Sequence, residues 1–242
     1  MEMFCLKNPT ELGKKAAAHT AKLLNKAISE KGFARIVLST GASQFDTIKA
    51  LILEDVDWSK VEMFHLDEYV DLPESHPASF RKYLKERFVQ HVNLKKAWFV
   101  NGEGDVQENI NELTQAIRKE PIDVALIGIG ENGHIAFNDP PADFDTKAAY
   151  IIVNLDDNCK KQQVGEGWFP TVDDVPKQAI SMSVYQIMQS KVIISCVPYK
   201  VKAKAVKDTL ENDTTNLIPA TILKTHPDFS LYIDEDSASL LK

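Results

Sequence analysis

Five polar side chains crowd into nine residues near the middle of the chain: Glu131, Asn132, His134, Asn138 and Asp139. They follow an apolar run, Val124 to Ile127, and two glycines, Gly128 and Gly130. A buried strand that ends in glycines and then in titratable groups is how an α/β enzyme presents chemistry at the carboxyl edge of a sheet. His134 is of a residue type that titrates near neutrality, and Glu131 and Asp139 flank it, so an acid–base role fits it. No second His or Cys stands at ligand spacing, which disfavours a zinc site. Asn132-Gly133 also fits a hairpin turn, but no alternating strand follows to pair with the first.

Two other stretches could join this cluster. Asp67 and Glu68 come directly after an apolar run, Val61 to Leu66. Adjacent residues of an extended segment point to opposite sides, so one of the two enters any given pocket, and Asp67 is the candidate base. Thr40-Gly41-Ala42-Ser43 separates a strand pattern from a helix pattern. Backbone N–H groups and two hydroxyls there suit a phosphate, and a tight turn with a Ser cap fits equally well. The loop has neither the Gly-Lys-Ser/Thr of a nucleotide loop nor the second and third glycines of a dinucleotide fingerprint. Lys200, Lys202, Lys204 and Lys207 open a later helix, and one of them near its start could meet a phosphate as a point charge.

The elements that would position these groups alternate along the chain. Strand patterns cover Ala34 to Ser39, Val61 to Leu66, Ala97 to Val100, Val124 to Ile127, Ala149 to Leu155, Lys191 to Val197 and Phe229 to Ile233. Helical spacing runs from Thr10, a candidate cap, to Gly32, and recurs at Phe45 to Ile52, Phe80 to Phe88, Val106 to Arg118, Ser183 to Gln189 and Val201 to Leu210. Asp156 to Val175 is polar with little period and reads as a long loop or flap with at most one helical turn. The alternation predicts a single α/β domain, with a doubly wound, mostly parallel sheet and helices on both faces. In such a sheet the three polar strand ends fall on one edge and converge.

Composition narrows the class. The chain has 242 residues, 44% hydrophobic and 26% charged, with a net charge of −7. That acidity argues against a nucleic-acid binder, which needs a basic face, yet permits a small phosphate in a local pocket. Cys5, Cys159 and Cys196 are too few and too scattered for a disulfide framework or a metal cluster. The N-terminus lacks signal architecture, and no stretch approaches the roughly 20 apolar residues of a membrane helix. A cytoplasmic protein is the expectation.

Together, LSTGAS, FHLDEYVDLPESHPASF, GIGENGHIAFNDP and VPYKVKAKAVK resemble the glucosamine-6-phosphate deaminases, in the same order and over about Val37 to Asp236. The resemblance implies a modified Rossmann-like fold and an aldose–ketose isomerisation coupled to loss of ammonia, from glucosamine 6-phosphate to fructose 6-phosphate. By this likeness Asp67 moves a proton between C2 and C1. His134 assists ring opening and is tuned by Asn132 and Asp139. Thr40, Gly41, Ala42 and Ser43 hold the phosphate with Lys202. The small-molecule sugar phosphate is the implied partner, and no metal or organic cofactor is implied. The oligomeric state, a homo-oligomer among the options, stays open.

The chain departs from the family pattern at three places. Asp139 stands where the family often has Glu, and Asn132 where some members have Asp. GEGWF, with Gly167, replaces a segment that carries a phosphate-gripping arginine before two phenylalanines. Lys160 or Lys161 are candidate flap substitutes, although a lysine lacks the bidentate grip of arginine. The residue associated with activation in some members has no counterpart near Ile151, so activation by an N-acetyl sugar phosphate is not expected. Galactosamine 6-phosphate is an alternative substrate. Lactone hydrolysis, as in the phosphogluconolactonases that share the fold, and a non-catalytic sugar-phosphate-binding regulator are the competing readings. The DEY and HIAFN segments count against the lactonase.

Overall fold

The computed structural model describes residues 1–241. Among these, a seven-stranded sheet has all its pairings parallel. In spatial order its strands are β1 (Glu2–Leu6), β10 (Phe229–Asp234), β9 (Val192–Val197), β6 (Val124–Leu126), β2 (Ala34–Leu38), β3 (Val61–His65) and β5 (Lys96–Trp98). The chain winds outward from β2 through β3 to β5, then returns to β6 and winds the other way. The order therefore reverses between β2 and β6, and a crevice opens at the carboxyl ends of the strands at such a point.

Alternation along the strands makes two cores. Ile36, Leu38, Met63, Val124 and Leu126 pack with α1 (Pro9–Lys31), α2 (Phe45–Leu51) and α3 (Phe80–Arg87). Val37, Phe64, Ala125 and Ile127 pack on the opposite face with α4 (Val106–Ile117), α6 (Val184–Ile187) and α7 (Ala203–Glu211). Successive strand residues point to opposite faces, so a run buried on both sides needs no polar alternation and reads as continuously apolar.

Some expectations are corrected. The start of α1 is capped by Asn8, whose side chain accepts from the Glu11 amide, with Pro9 in the first turn. Thr10 instead donates to Asp46 on α2. Gly32 ends the helix in the left-handed region as expected, at φ 85°. The strand at Ala149 to Leu155 exists as β7 (Tyr150–Asn154), but it does not join the parallel sheet. It pairs antiparallel with β8 (Gln178–Met182), which pairs antiparallel with β4 (Asp67–Tyr69). This second sheet carries Asp67. The flap is also more regular than expected, since α5 (Asp157–Gly165) spans nine residues under an Asp156 cap. Its hydrophobic period is weak because it presents polar side chains to the crevice, which is why the sequence pattern hid it.

Candidate active site

The crevice is lined from four neighbouring parallel strands. Ser39 to Ser43 follow β2, Leu66 and Asp67 follow β3, Gly128 to Glu131 and His134 follow β6, and Tyr199, Val201 and Lys202 follow β9. The flap adds Gln162, Gln163, Glu166 and Trp168. The three polar strand ends therefore converge, and the fourth, after β9, brings Lys202.

Asp67 and Glu68 part company as adjacent strand residues should. Asp67 lines the crevice. Burial first, and the neighbouring Glu68 second, push its carboxyl up from 3.8 to about 8. Glu68 points away and is fully buried. It accepts from Ser79 Oγ at 2.8 Å, from the Phe80 and Arg81 amides at 3.2 and 2.9 Å, and from Arg81 Nε at 3.1 Å. Glu68 thus neutralises the start of α3 and fixes the strand that holds Asp67. Tyr150 Oη donates to the His65 carbonyl at 3.1 Å just before it.

The 128–139 segment turns tightly on itself. Gly133 adopts φ 81° and its amide donates to the Gly130 carbonyl at 3.0 Å, while the Gly130 amide donates to the His134 carbonyl at 2.9 Å. His134 Nδ1 lies 3.0 Å from Asp139 Oδ1. The two atoms are close without meeting hydrogen-bond geometry. Asn132 Nδ2 donates to the same oxygen at 3.0 Å, and Asn132 Oδ1 accepts from the His134 amide at 3.0 Å. Burial disfavours the charged form of Asp139, but His134, Asn132 and the Cys159 thiol together outweigh it and hold its carboxyl below the ordinary value. Asn138 is structural. Its amide donates to the carbonyls of Ile135 and Met182 at 2.8 and 2.9 Å, tying the turn to β8.

At the other end, Gly41 adopts φ 98° and opens a short 3-10 turn, Ala42–Gln44, that leads into α2. Tyr83 Oη donates to the Gly41 carbonyl at 2.9 Å, and Gln44 Nε2 donates to Ser43 Oγ and to the Cys196 carbonyl. Lys202 is 7% exposed. Burial pulls its ammonium below the ordinary lysine range, and Glu166 and Glu131 oppose that shift. A buried cation beside a turn that opens a helix suits an anion.

Sequence reasoning placed Asp67, His134, Thr40 to Ser43 and Lys202 in one crevice, and the structure brings them together. Asn132 and Asp139 stand behind His134 rather than on the crevice wall. Lys160 and Lys161 are not on the wall at all. Helical rotation gives the inward positions of α5 to Cys159, Gln163, Gln162 and Glu166, and turns the lysines away. Several residues were missed. Ser39, whose hydroxyl is buried at the crevice wall without a hydrogen-bond partner among the described residues, and Tyr199 stood unassigned inside LSTGAS and VPYKVKAKAVK, while Gln44, Gln163 and Cys159 carry no motif. Glu166 and Trp168 lay within the GEGWF segment but gave no sign of which way they face.

The family model for glucosamine-6-phosphate isomerases/6-phosphogluconolactonase matches residues 7–231. The chain belongs to this family. A glucosamine-6-phosphate deaminase of Lactobacillus delbrueckii subsp. bulgaricus is 33% identical over 243 residues, covering 100% of both chains. One from Thermoanaerobacter pseudethanolicus is 34% identical over 249 residues, covering 100% of this chain and 95% of its own. Among solved structures, a monomeric glucosamine-6-phosphate deaminase superposes with a TM-score of 0.91 at 31% identity, covering 99% of this chain and 100% of its own. A 6-phosphogluconolactonase from Thermotoga maritima has a TM-score of 0.80 at 14% identity, covering 96% and 99%, which is a likeness of fold alone.

Proposed function

We propose that the protein isomerises and deaminates glucosamine 6-phosphate to fructose 6-phosphate and ammonia. The observation that carries this reading is the arrangement of the crevice, with a buried carboxylate, Asp67, and His134, backed by Asp139, on the wall shared with an anion site at Thr40 to Ser43 and Lys202. Relatives named for this activity, aligned from end to end, support it.

The steps need only proton transfers and water. His134, paired with Asp139, moves the O1 proton toward the ring oxygen, so that the C1–O5 bond breaks and the aldehyde forms. Asp67 removes the C2 proton while O1 gains one, giving an enolamine. The protonated Asp67 returns its proton to C1, leaving a C2 iminium. Water adds at C2 and ammonia departs, leaving the ketone. Burial of Asp67 raises its basicity, which favours abstraction of a carbon-bound proton.

All these groups belong to one chain, so a monomer can hold a complete site. Among the described residues no helix is long and apolar enough to cross a membrane, and a sugar-phosphate substrate fits a cytoplasmic location.

Ammonia release from a panel of hexosamine 6-phosphates, with 6-phosphogluconolactone hydrolysis in parallel, tests the reading. Release from glucosamine 6-phosphate, abolished by Asp67→Asn, is expected. Lactone hydrolysis without ammonia release would move the protein to the other branch of its family. Preference for galactosamine 6-phosphate would move only the substrate.

A further inference from the structure

The flap of this chain brings a carboxylate to the crevice. Glu166 lies one residue past α5 and lines the same cavity as Lys202 and Asp67. Its two oxygens are held separately. Gln162 Nε2 donates to Oε1 at 2.7 Å and Trp168 Nε1 donates to Oε2 at 3.0 Å. The helix beneath is fixed in turn, because the buried Gln163 accepts from Tyr69 Oη at 2.7 Å. The turn that follows requires glycine. Gly167 adopts φ 81° and its amide donates to the Val164 carbonyl at 3.0 Å. A side chain at Gly167 would be strained there, so this flap is built around Glu166 rather than around a residue at 167.

The chemistry of a carboxylate limits what it can meet. An ionised carboxylate only accepts hydrogen bonds and has about four acceptor positions. Two are used by Gln162 and Trp168. A phosphate dianion offers no donor and repels it, so Glu166 is not a phosphate ligand. Sugar hydroxyls are donors, and a substrate anchored by its phosphate at Thr40 to Ser43 and by C1 and C2 at Asp67 and His134 carries its remaining hydroxyls between those ends.

We infer that Glu166, held by Gln162 and Trp168, is a substrate-binding and specificity-determining residue that accepts hydrogen bonds from the hydroxyls between the amine-bearing and phosphate-bearing carbons. The inference rests on the sugar-phosphate reading of the crevice. A fixed acceptor at that place also distinguishes the C4 epimers, because only one of them directs its hydroxyl at a given point.

The test compares two ligands in three proteins: wild type, Glu166→Gln and Glu166→Asp. The first ligand is glucosamine 6-phosphate, read as KM, and the second is inorganic phosphate, read as a competitive inhibition constant. Loss of a charged hydrogen-bond acceptor predicts a KM raised roughly tenfold or more in Glu166→Gln, with phosphate inhibition unchanged or tighter. Glu166→Asp keeps the charge but withdraws the carboxylate by one methylene, so it also raises KM and leaves phosphate inhibition unchanged. A KM that falls in Glu166→Gln, equal shifts for both ligands, or a wild-type KM in Glu166→Asp would each overturn the inference, since Glu166 would then act only as a charge. Failure of the underlying reading is seen separately, as a wild-type protein that turns over no hexosamine 6-phosphate. Glu166 is exposed, so both variants keep the fold, and melting curves check this.

Discussion

Gly130 lies against the ring of His134 so closely that a β-carbon on it would stand 2.3 Å from Cε1 and Nε2. The glycine is there because the imidazole occupies the space. Gly130→Ala must push the ring, and because the clashing atoms belong to a side chain and not to backbone, the fold need not yield. The variant should melt near the wild-type temperature and lose roughly a hundredfold in kcat, as expected for a displacement of about 1 Å at a reacting group. Wild-type kcat would show that the ring position is not used.

As the proposed base, Asp67 should set the pH dependence. Its carboxyl is pushed up from 3.8 to about 8, by burial first and by Glu68 second, and a base must be ionised to act. The plot of kcat/KM against pH should therefore rise along a limb near pH 8, since that ratio reports the free enzyme. Asp67→Asn should lower kcat by roughly a thousandfold or more.

The same shift bears on stability. Below about pH 4 both folded and unfolded Asp67 are protonated and the contribution of the raised value is fully present. As pH rises toward 8 the unfolded chain releases its proton first, so stability falls, and the contribution is lost above the folded value. Urea denaturation at pH 5 and pH 8 should show a smaller difference in Asp67→Asn than in wild type. An unchanged difference would assign the trend to other groups.

Glu68 and Arg81 form a buried pair, 3.1 Å apart, at the start of α3. Removing the carboxylate in Glu68→Ala leaves Arg81 Nε, the Ser79 hydroxyl and several amides without their acceptor, while the rest of the guanidinium keeps Asn101, Leu72 and Glu103. A loss of about 3–5 kcal/mol is expected by chemical denaturation. At temperatures where the variant stays folded, the decrease in kcat should be far smaller than for Asp67→Asn.

Asp139 faces His134 from behind and receives Asn132 and the Cys159 thiol. Asp139→Asn removes the carboxylate that lies against the His134 ring, and should lower kcat by roughly tenfold or more, read as ammonia release at saturating substrate. Cys159 is buried and its thiol is pushed up, chiefly by burial and then by Asp139. Iodoacetamide should thus label the exposed Cys5 in the native protein and reach Cys159 and Cys196 only after unfolding. Rapid native labelling of Cys159 would mean that α5 opens freely.

Much of this was legible along the chain. The parallel strands are apolar runs bounded by glycines and polar clusters, and a strand buried on both faces announces itself by composition. The groups at their ends fall on one edge by topology alone, which is why Asp67, His134 and Thr40 to Ser43 are legible; Lys202 is singled out from its neighbouring lysines only by the family resemblance. β1 escapes the sequence pattern because it is an edge strand with none of its residues buried, and β8 because QAISM mixes polar and apolar residues without a clean period.

Local order in the sequence therefore sets which residues stand at strand ends, since strand and helix periods are properties of consecutive residues. Which side chains meet is set by contacts between distant segments. The antiparallel sheet of β4, β8 and β7 positions Asp67 through residues more than a hundred positions away. The alignment of α5 over the crevice selects Glu166 and Gln162 and turns Lys160 and Lys161 outward. Such long-range pairings depend on packing and hydrogen bonds that no stretch of neighbouring residues encodes, and only the folded chain decides them.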